Sequence, residues 1–134
     1  GPWLDKKRAR KETAARLTAF NVHFPSTRIR GGQLSGGNLQ KLVLARELYR
    51  RPRMILAEQP SQGLDVAATE EIWGHLLRAR SNAGILLITG DLNEALALGD
   101  GITVLYRGAI MDTFPASDQE KIKNIGLLMA GLRH

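Results

Sequence analysis

The sequence predicts an α/β fold in which helices cover both faces of a parallel sheet. Two short apolar runs, "MILA" (Met54 to Ala57) and "ILLIT" (Ile85 to Thr89), are predicted to be buried strands because they are continuous rather than alternating. Segments with helical patterns precede and separate these runs, and this alternation is typical of α/β proteins. The 134 residues, of which 43% are hydrophobic, suit one domain with a modest core.

Three helices are predicted in the first two thirds of the chain. The first extends from Asp5 to Phe20 and is followed by an irregular stretch that contains proline and glycine. The second runs from about Gly36 to Arg50 and stops before Pro52. Asp65 is predicted to cap the third helix. Apolar side chains are expected on the buried sides: Leu4, Ala9, Leu17 and Phe20 in the first helix, and Ile72, Trp73, Leu76 and Leu77 in the third.

The last third of the chain is predicted to contain a hairpin between two short helices. "ITVLY" and "AIMDTF" lie on either side of Arg107-Gly108 and are typical of two strands joined by a tight turn. Capping boxes are predicted to open both helices: Asp91 with Glu94 for a helix to about Leu98, and Ser117 with Glu120 for one to about Ala130.

Composition excludes several classes of function. The chain has no cysteine, so it has no disulfide framework and no thiolate metal site or nucleophile. It also has no apolar run long enough to span a bilayer and no signal-peptide pattern, which makes a cytosolic protein the default expectation. The net charge is +6, and "DKKRARK" near the start is expected to be a solvated helix face. Contact with nucleic-acid phosphates is the alternative, but no aromatic residues that could stack on bases are interleaved with these charges.

The stretch "QLSGGNLQKLVLAREL" (Gln33 to Leu48) places two glycines directly after a serine at the start of a helix. Glycine in a first turn is destabilising relative to alanine, so its presence needs a reason. Ser35 is predicted to be the N-cap, and the absence of side chains at the next two positions would let a ligand approach the free backbone amides. A helix start of this kind attracts phosphate.

The order of these motifs closely resembles the C-terminal part of the ATPase domain of an ATP-binding cassette (ABC) transporter. "LSGGNLQK" matches the signature motif of that family, "MILAEQP" lies where its Walker B strand does, and "SQGLD" matches its D-loop. The resemblance runs from about Asp5 to the end of the chain. It implies a partial P-loop NTPase fold that lacks the Walker A strand and loop.

Two further features are similar to importers of simple sugars and nucleosides. These are the "GGNLQK" form of the signature and the closing "IGLLMAG", which is similar to the tail of the second of two fused nucleotide-binding halves. The resemblance therefore implies that the chain is a piece of a longer ATPase subunit. Within it, the expected parts are a helical and signature region (5–50), a core from Walker B to the switch region (51–114) and a C-terminal helix (115–134).

The resemblance also implies site residues, cofactors and partners. The nucleotide-binding residues would be Leu34, Ser35, Gly36, Gly37, Asn38, Gln40 and Lys41 in the signature and Gly63, Leu64 and Asp65 in the D-loop. In this family both motifs act in trans, on ATP held with Mg²⁺ by the phosphate loop of the other half. The implied partners are that other ATPase half, transmembrane permease subunits and, indirectly, a solute-binding protein, at the inner face of the cell membrane. No nucleic acid is expected as a partner.

The sequence departs from the family pattern in three ways. It contains no Gly-x-x-x-x-Gly-Lys-Ser/Thr motif, so the loop that would hold this half's own nucleotide is missing from it. Glu58-Gln59 stands where the family has Asp-Glu; Glu58 could hold a magnesium-bound water, but the neutral Gln59 cannot polarise an attacking water. Gly90 occupies the position of the switch histidine. We therefore expect the chain to complete a foreign active site and not to hydrolyse ATP alone.

For several residues a purely structural role competes with a functional one. Asp91 is expected to cap a helix rather than bind a ligand, whereas Glu58 is equally well explained as a polar residue at the end of a strand. The remaining candidates are expected to be structural or exposed: His23, His75, His134, Trp3 and Trp73. Two rival functions stay open, a non-transport ABC protein that acts on nucleic acid or the ribosome and a purely regulatory nucleotide-binding half.

The resemblance raises a question about sheet pairing. In the family, the strand that enters the phosphate loop lies between the strands that resemble "ILLIT" and "ITVLY", and this chain has no such strand. The two flanking strands should pair directly, form separate small sheets, or borrow a strand by dimerising, because unpaired edges are costly. A rearranged or oligomeric sheet is expected rather than a copy of the family sheet with an empty slot.

Overall fold

The computed structural model describes residues 5–28 and 30–132, which form two compact units. The first unit ends at Ile88 and the second begins at Thr89. The first contains α1 (Lys6–Ala19), α2 (Gly36–Tyr49), β1 (Met54–Glu58), α3 (Val66–Ala79) and β2 (Gly84–Ile88). The second contains α4 (Leu92–Leu98), β3 (Gly101–Tyr106), β4 (Ala109–Pro115), α5 (Gln119–Lys123) and α6 (Ile125–Met129). None of the helices in the described part of the chain has the length and apolar character needed to span a bilayer.

Side-chain caps fix the beginnings of the first three helices, and that of α2 is the Ser35 hydroxyl, which accepts the Asn38 N–H at 3.3 Å. The Asp5 carboxylate accepts the backbone N–H groups of Lys7 and Arg8, both at 3.0 Å. Asp65 does the same for α3, accepting the Ala68 N–H at 2.8 Å. These contacts satisfy donors that a helix start leaves without intrahelical partners, so the three predicted helices are confirmed.

The predicted apolar sides of these helices are only partly buried. In α1 only Leu17 is buried, and Ala9 is half-buried, as is Phe20 just beyond the helix. Leu4 lies outside the described residues, as do Trp3 and His134. In α3, Ile72 and Leu76 are buried as predicted and Trp73 is half-buried, but Leu77 is 40% exposed.

The first unit contains a two-stranded parallel sheet in which β1 pairs with β2 from Met54 opposite Gly84 to Glu58 opposite Ile88. Both strands are confirmed, but the prediction that they are buried is wrong. Ile55 is buried, whereas four apolar side chains on the other face are 46–68% exposed: Met54, Leu56, Leu86 and Ile88. A continuous apolar run shows that a strand is suited to burial, but the elements that bury it must come from elsewhere.

The second unit is built on an antiparallel hairpin, as predicted. Arg107 and Gly108 connect β3 to β4 with φ angles of 47° and 78°, the left-handed conformation that a tight two-residue hairpin turn requires. The hairpin and the last helix contribute the buried apolar core: Ile102, Val104, Phe114, Ile125 and Leu128. Side chains of α4, including Leu92 and Leu96, pack against this core.

The helix caps of the second unit are confirmed at one end and wrong at the other. Asp91 accepts the N–H of Asn93 at 2.8 Å and that of Glu94 at 3.4 Å, so it is the predicted cap of α4. Its own N–H donates to the Thr89 hydroxyl at 3.0 Å, and the reciprocal bond of the capping box with Glu94 stays a prediction. Asp118, not Ser117, caps α5 by accepting the Lys121 N–H at 3.1 Å. The final helix is also interrupted at Asn124, whose side chain donates to the Glu120 carbonyl at 3.2 Å and so takes an acceptor that a continuing helix would use.

The strands β2 and β3 lie in different sheets, so their direct pairing is excluded within the described residues. Each sheet has two strands, β1 with β2 and β3 with β4. Two small sheets were one of the three outcomes considered from the sequence. The expectation of oligomerisation stays a prediction.

Candidate functional site

The start of α2 presents backbone donors that have no partner in the described chain. The Ser35 hydroxyl accepts the Asn38 N–H at 3.3 Å, and the Leu39 N–H bonds the Ser35 carbonyl at 2.8 Å. Among the described residues, nothing accepts from the N–H groups of Gly36 and Gly37. A Cβ atom at Gly36 would meet nothing within 4 Å, so the space beside this residue is open. The capped helix start can therefore receive an anion without rearranging.

Gly37 has a packing role as well. A Cβ atom at this position would lie 3.2 Å from the Ala68 Cβ in the first turn of α3. The absence of a side chain therefore lets the beginnings of α2 and α3 approach each other closely. The two glycines differ in this respect: one leaves an open surface, and the other permits a helix contact.

The turn after β1, residues 59–65, is held against α2 by a side chain of the signature. Gln40 Nε2 donates to the carbonyl of the buried Pro60 at 2.8 Å. The turn itself is tight: the Leu64 N–H bonds the Ser61 carbonyl at 3.2 Å, and Gly63 has a φ of 75° that favours glycine. Asp65 then caps α3, so the predicted D-loop residues form one compact connection between β1 and that helix.

Lys41 points inward rather than toward the open helix start. Its side chain is 6% exposed, and its Nζ donates to Glu71 at 2.8 Å and to the Asn21 carbonyl at 2.7 Å. The hydrogen bond from Lys41 lowers the pKa of Glu71 below its ordinary value. This lysine was predicted to be a nucleotide contact, but its ammonium group is already occupied by an ion pair between α2 and α3.

Asn38 and Leu34 also have contacts within the chain. Asn38 Oδ1 accepts the His23 N–H at 3.0 Å, which fixes the irregular segment after α1 to the signature helix. The Leu34 N–H closes a short 3₁₀ turn on the Gly31 carbonyl at 3.0 Å. Both contacts orient the start of α2, and that of Asn38 uses only its side-chain oxygen.

The Walker B and switch positions carry little chemistry in this structure. Glu58 is exposed at the end of β1, and Gln59 enters the following turn with a φ of 43°. Gly90 belongs to the second unit, where a Cβ atom would meet nothing within 4 Å. In the described part of the chain, no three acidic or histidine side chains are grouped as metal ligands would be. Glu58 is therefore a single carboxylate. Mg²⁺ is usually bound by one or two carboxylates together with the phosphate oxygens of a nucleotide.

Sequence reasoning missed the residues that support the site, namely Asn21, Pro60, Ala68 and Glu71. A signal for one of them was present. Lys41 precedes an apolar stretch of α2, and a lysine on a buried helix face needs a carboxylate partner. Pro60 and Ala68 act through a backbone carbonyl and a close contact, which leave no trace in residue type, and Asn21 acts through its carbonyl and through its side-chain amide, which donates to Glu71 at 3.1 Å.

The fold is that of ATP-binding cassettes of ABC transporters. A dimeric cassette in a post-hydrolysis state bound to ADP and Pi superposes with a TM-score of 0.71 and 28% identity, over 85% of this chain and 50% of that one. A dimeric bacterial cassette gives 0.70 and 27%, over 87% and 50%. The chain thus carries about half of a cassette, which agrees with the partial α/β NTPase fold predicted from its sequence.

The chain is further related to ATP-binding proteins of sugar and nucleoside import. It is 40% identical over 134 residues to the glucose import ATP-binding protein of Haloferax volcanii, covering 98% of this chain and 24% of that protein. It is 34% identical to the ribose import protein RbsA of Yersinia pestis, with coverage of 91% and 25%, and 34% identical to the guanosine import protein NupO of Bacillus subtilis, with coverage of 96% and 25%.

These relatives identify the segment that the chain represents. It spans about a quarter of the length of the curated relatives and matches their second halves. No family model matches it. The chain is therefore similar to the second halves of ABC import ATP-binding proteins, as the resemblance of its motifs indicated.

Proposed function

We propose that this chain is the signature-bearing part of the ATPase subunit of an importer for a small polar solute, a sugar or a nucleoside. The names of its relatives, which are glucose, ribose and guanosine import proteins, support this solute class. In the proposed assembly the chain works with another ATPase half and with permease subunits. A solute-binding protein is an indirect partner, and the site of action is the cytoplasmic face of the membrane.

The proposal rests on the open amide pair at the capped start of α2. Ser35 holds the helix start in place, while the N–H groups of Gly36 and Gly37 have no acceptor among the described residues. In the proposed closed state these donors bind the γ-phosphate of ATP, which the phosphate loop of the other half holds. Binding energy from this contact would favour the closed arrangement in which that ATP is hydrolysed.

Three contacts would make the signature and the D-loop move together. Gln40 joins α2 to the turn at Pro60, Gly37 lets α2 touch α3, and Lys41 pairs with Glu71. The first and third of these are direct polar contacts of 2.8 Å, and the second is a close approach of the two helices. Closure at the helix start would thus carry residues 63–65 with it toward the same nucleotide.

The chain's own half of the cassette is proposed to be catalytically degenerate. Gln59 lacks the charge that a general base needs, and Gly90 has no side chain to contact a γ-phosphate. Glu58 would bind Mg²⁺ through a water molecule at most. The working site would therefore be the one that contains Ser35 and the phosphate loop of the other half.

A pair of substitutions in the full-length subunit tests this assignment. Ser35→Arg places a bulky cation at the donor pair and should abolish most transport-coupled ATP hydrolysis. Gln59→Ala changes only the degenerate site and should leave hydrolysis near the wild-type rate. Equal losses from both changes would show that the working site has been assigned wrongly.

A further inference from the structure

A cleft in the first unit lies far from the signature. It has a volume of about 550 Å³ and is bounded by the ends of α1, α2 and α3 and the start of β1. Its lining residues are the apolar Phe20, Leu48, Pro52, Ile55, Ala79 and Ala83 and the polar Arg51, His75, Arg78 and Asn82. Because α2 has 14 residues, its cleft end is about 21 Å from Ser35, and a ligand here would not contact the signature amides.

Arg78 is held in place at this cleft by its neighbours on α3. Its Nη2 lies 3.0 Å from His75 Nδ1, and its Nη1 would lie 3.3 Å from a Cβ atom at position 74, a space that Gly74 leaves free. The His75 ring in turn stacks on Phe20 with centroids 4.3 Å apart and an interplanar angle of 17°. The guanidinium group is therefore folded back along the helix and supported by an aromatic pair.

The hydrogen bond from Arg78 requires a neutral His75 ring, and the surroundings of His75 favour that form. Burial lowers the pKa of His75 below its ordinary value, and the positive charge of Arg78 acts in the same direction. The neutral ring can accept a hydrogen bond at Nδ1, which the protonated ring cannot. His75 thus acts as an acceptor that orients the guanidinium group.

The cleft has a positive rim over an apolar floor. Arg51 and Arg78 have no carboxylate partner among the described residues, although the chain elsewhere pairs Lys41, Arg8 and Arg46. Of the apolar lining residues, Ile55 is buried and Leu48 is half-buried. Guanidinium groups bind carboxylates and phosphates through two parallel hydrogen bonds, and the volume is within the range of small-molecule sites.

We infer that this cleft binds a small organic anion with a flat apolar body. The anionic group pairs with Arg78 and Arg51, and the apolar body lies over Ile55 and Leu48 beside the Phe20 and His75 rings. The shared chemistry is a carboxylate or a phosphate monoester on an aromatic or similar apolar group. The site is independent of the proposed ATP contact.

An NMR titration of the whole 134-residue chain tests the inference with four probes. These are 1-naphthoate, 1-naphthyl phosphate, the neutral 1-naphthalenemethanol and inorganic phosphate. At least one naphthyl anion should shift the amide signals of Phe20, His75, Arg78 and Asn82 and bind at least tenfold more tightly than the alcohol or inorganic phosphate. The tighter of the two anions identifies the preferred anionic group.

Matched variants complete the test. Arg78→Gln should weaken the naphthyl anion at least tenfold, and His75→Phe, which keeps the stacking but removes the acceptor, should weaken it less. Arg46→Gln on the exposed side of α2 and Ser35→Arg at the signature should leave binding unchanged. Equal binding of anion and alcohol, equal effects of Arg78→Gln and Arg46→Gln, or shifts confined to Met54, Leu56, Leu86 and Ile88 would overturn the inference.

Discussion

The two units of the chain bury their two-stranded sheets in different ways. The hairpin of the second unit is antiparallel, and its own helices cover one part of it, so Val104 and Phe114 are each 5% exposed, whereas Leu105 and Ile110 next to the turn are 64% and 59% exposed. The parallel pair of the first unit leaves Leu56 65% exposed and Leu86 51% exposed on one face. An antiparallel pair needs only a tight turn and local helices, whereas a parallel sheet depends on connections that are distant in sequence.

This difference shows how much of its apolar sheet surface each unit buries with its own helices. The second unit forms a closed core on one face of its hairpin within about 45 residues, from Thr89 onward. The first unit holds the signature helix firmly through α3 but leaves one apolar face of its sheet uncovered. The relatives are about four times as long as the matched segment.

The largest expected effect compares the two sheets directly. Phe114→Ala should cost roughly 3–5 kcal/mol of unfolding free energy, because it creates a cavity in a closed core. Leu56→Ala should cost less than about 1 kcal/mol, because little apolar area is lost from a side chain that is already mostly exposed. Urea denaturation, followed by hydrogen exchange in each unit, measures both values. Similar costs would show that the sheet face of the first unit is covered in solution.

The next effect concerns the ion pair between α2 and α3. Glu71→Leu leaves the Lys41 ammonium buried without a counter-charge and should cost about 1–3 kcal/mol; the range is below that of a fully buried pair because the Glu71 side chain is 35% exposed. The double variant Lys41→Met/Glu71→Leu should recover part of this loss. If the single and double variants are equally unstable, the pair does not hold the two helices together.

A smaller effect separates the two signature glycines. Gly36→Ala should raise stability by up to about 1 kcal/mol, because alanine favours the helix and its Cβ meets open space. Gly37→Ala should gain less or lose stability, because its Cβ would lie 3.2 Å from the Ala68 Cβ. Thermal unfolding compares the two variants, and Ala68→Gly should restore the gain at position 37. Identical gains would mean that α3 moves away from a Cβ atom at position 37 without a cost in stability.

The smallest effect is a pH dependence caused by His75. Burial holds its pKa in the folded chain below the ordinary value of 6.5, so the unfolded chain binds the proton more readily. Stability from this residue is present above pH 6.5 and is lost as the pH falls through the folded pKa. Urea midpoints between pH 7.5 and 5.5 should therefore fall in the wild type and fall less in His75→Phe. The exposed His23→Gln serves as the control and should behave like the wild type.

Sequence reasoning recovered the elements whose determinants are local. Asp65, Asp91 and the Arg107-Gly108 turn each act through a cap or a turn within a few residues, and the structure confirms them. The break at Asn124 was missed because it results from a side-chain bond that competes with the helix. Burial of β1 was overestimated because it depends on chain elements that are distant in sequence.

The same division applies to the candidate site. The open donors at Gly36 and Gly37 follow from the Ser-Gly-Gly pattern itself. The inward position of Lys41 does not, because it depends on Glu71, which lies 30 residues further along the chain. Nucleotide binding by the signature and D-loop residues stays a prediction. Its structural support is the pair of backbone donors at the start of α2 that have no acceptor within the described chain.

The most direct test of the central claim is ATP hydrolysis by the purified chain with Mg²⁺, alone and after addition of a polypeptide that carries the phosphate-loop half of the same subunit. The chain alone should show only background hydrolysis. Turnover should appear in the mixture with wild-type Ser35 and be lost with Ser35→Arg. Steady hydrolysis by the chain alone, abolished by Ser35→Arg or Glu58→Gln, would contradict the claim that its donors complete a site in another half.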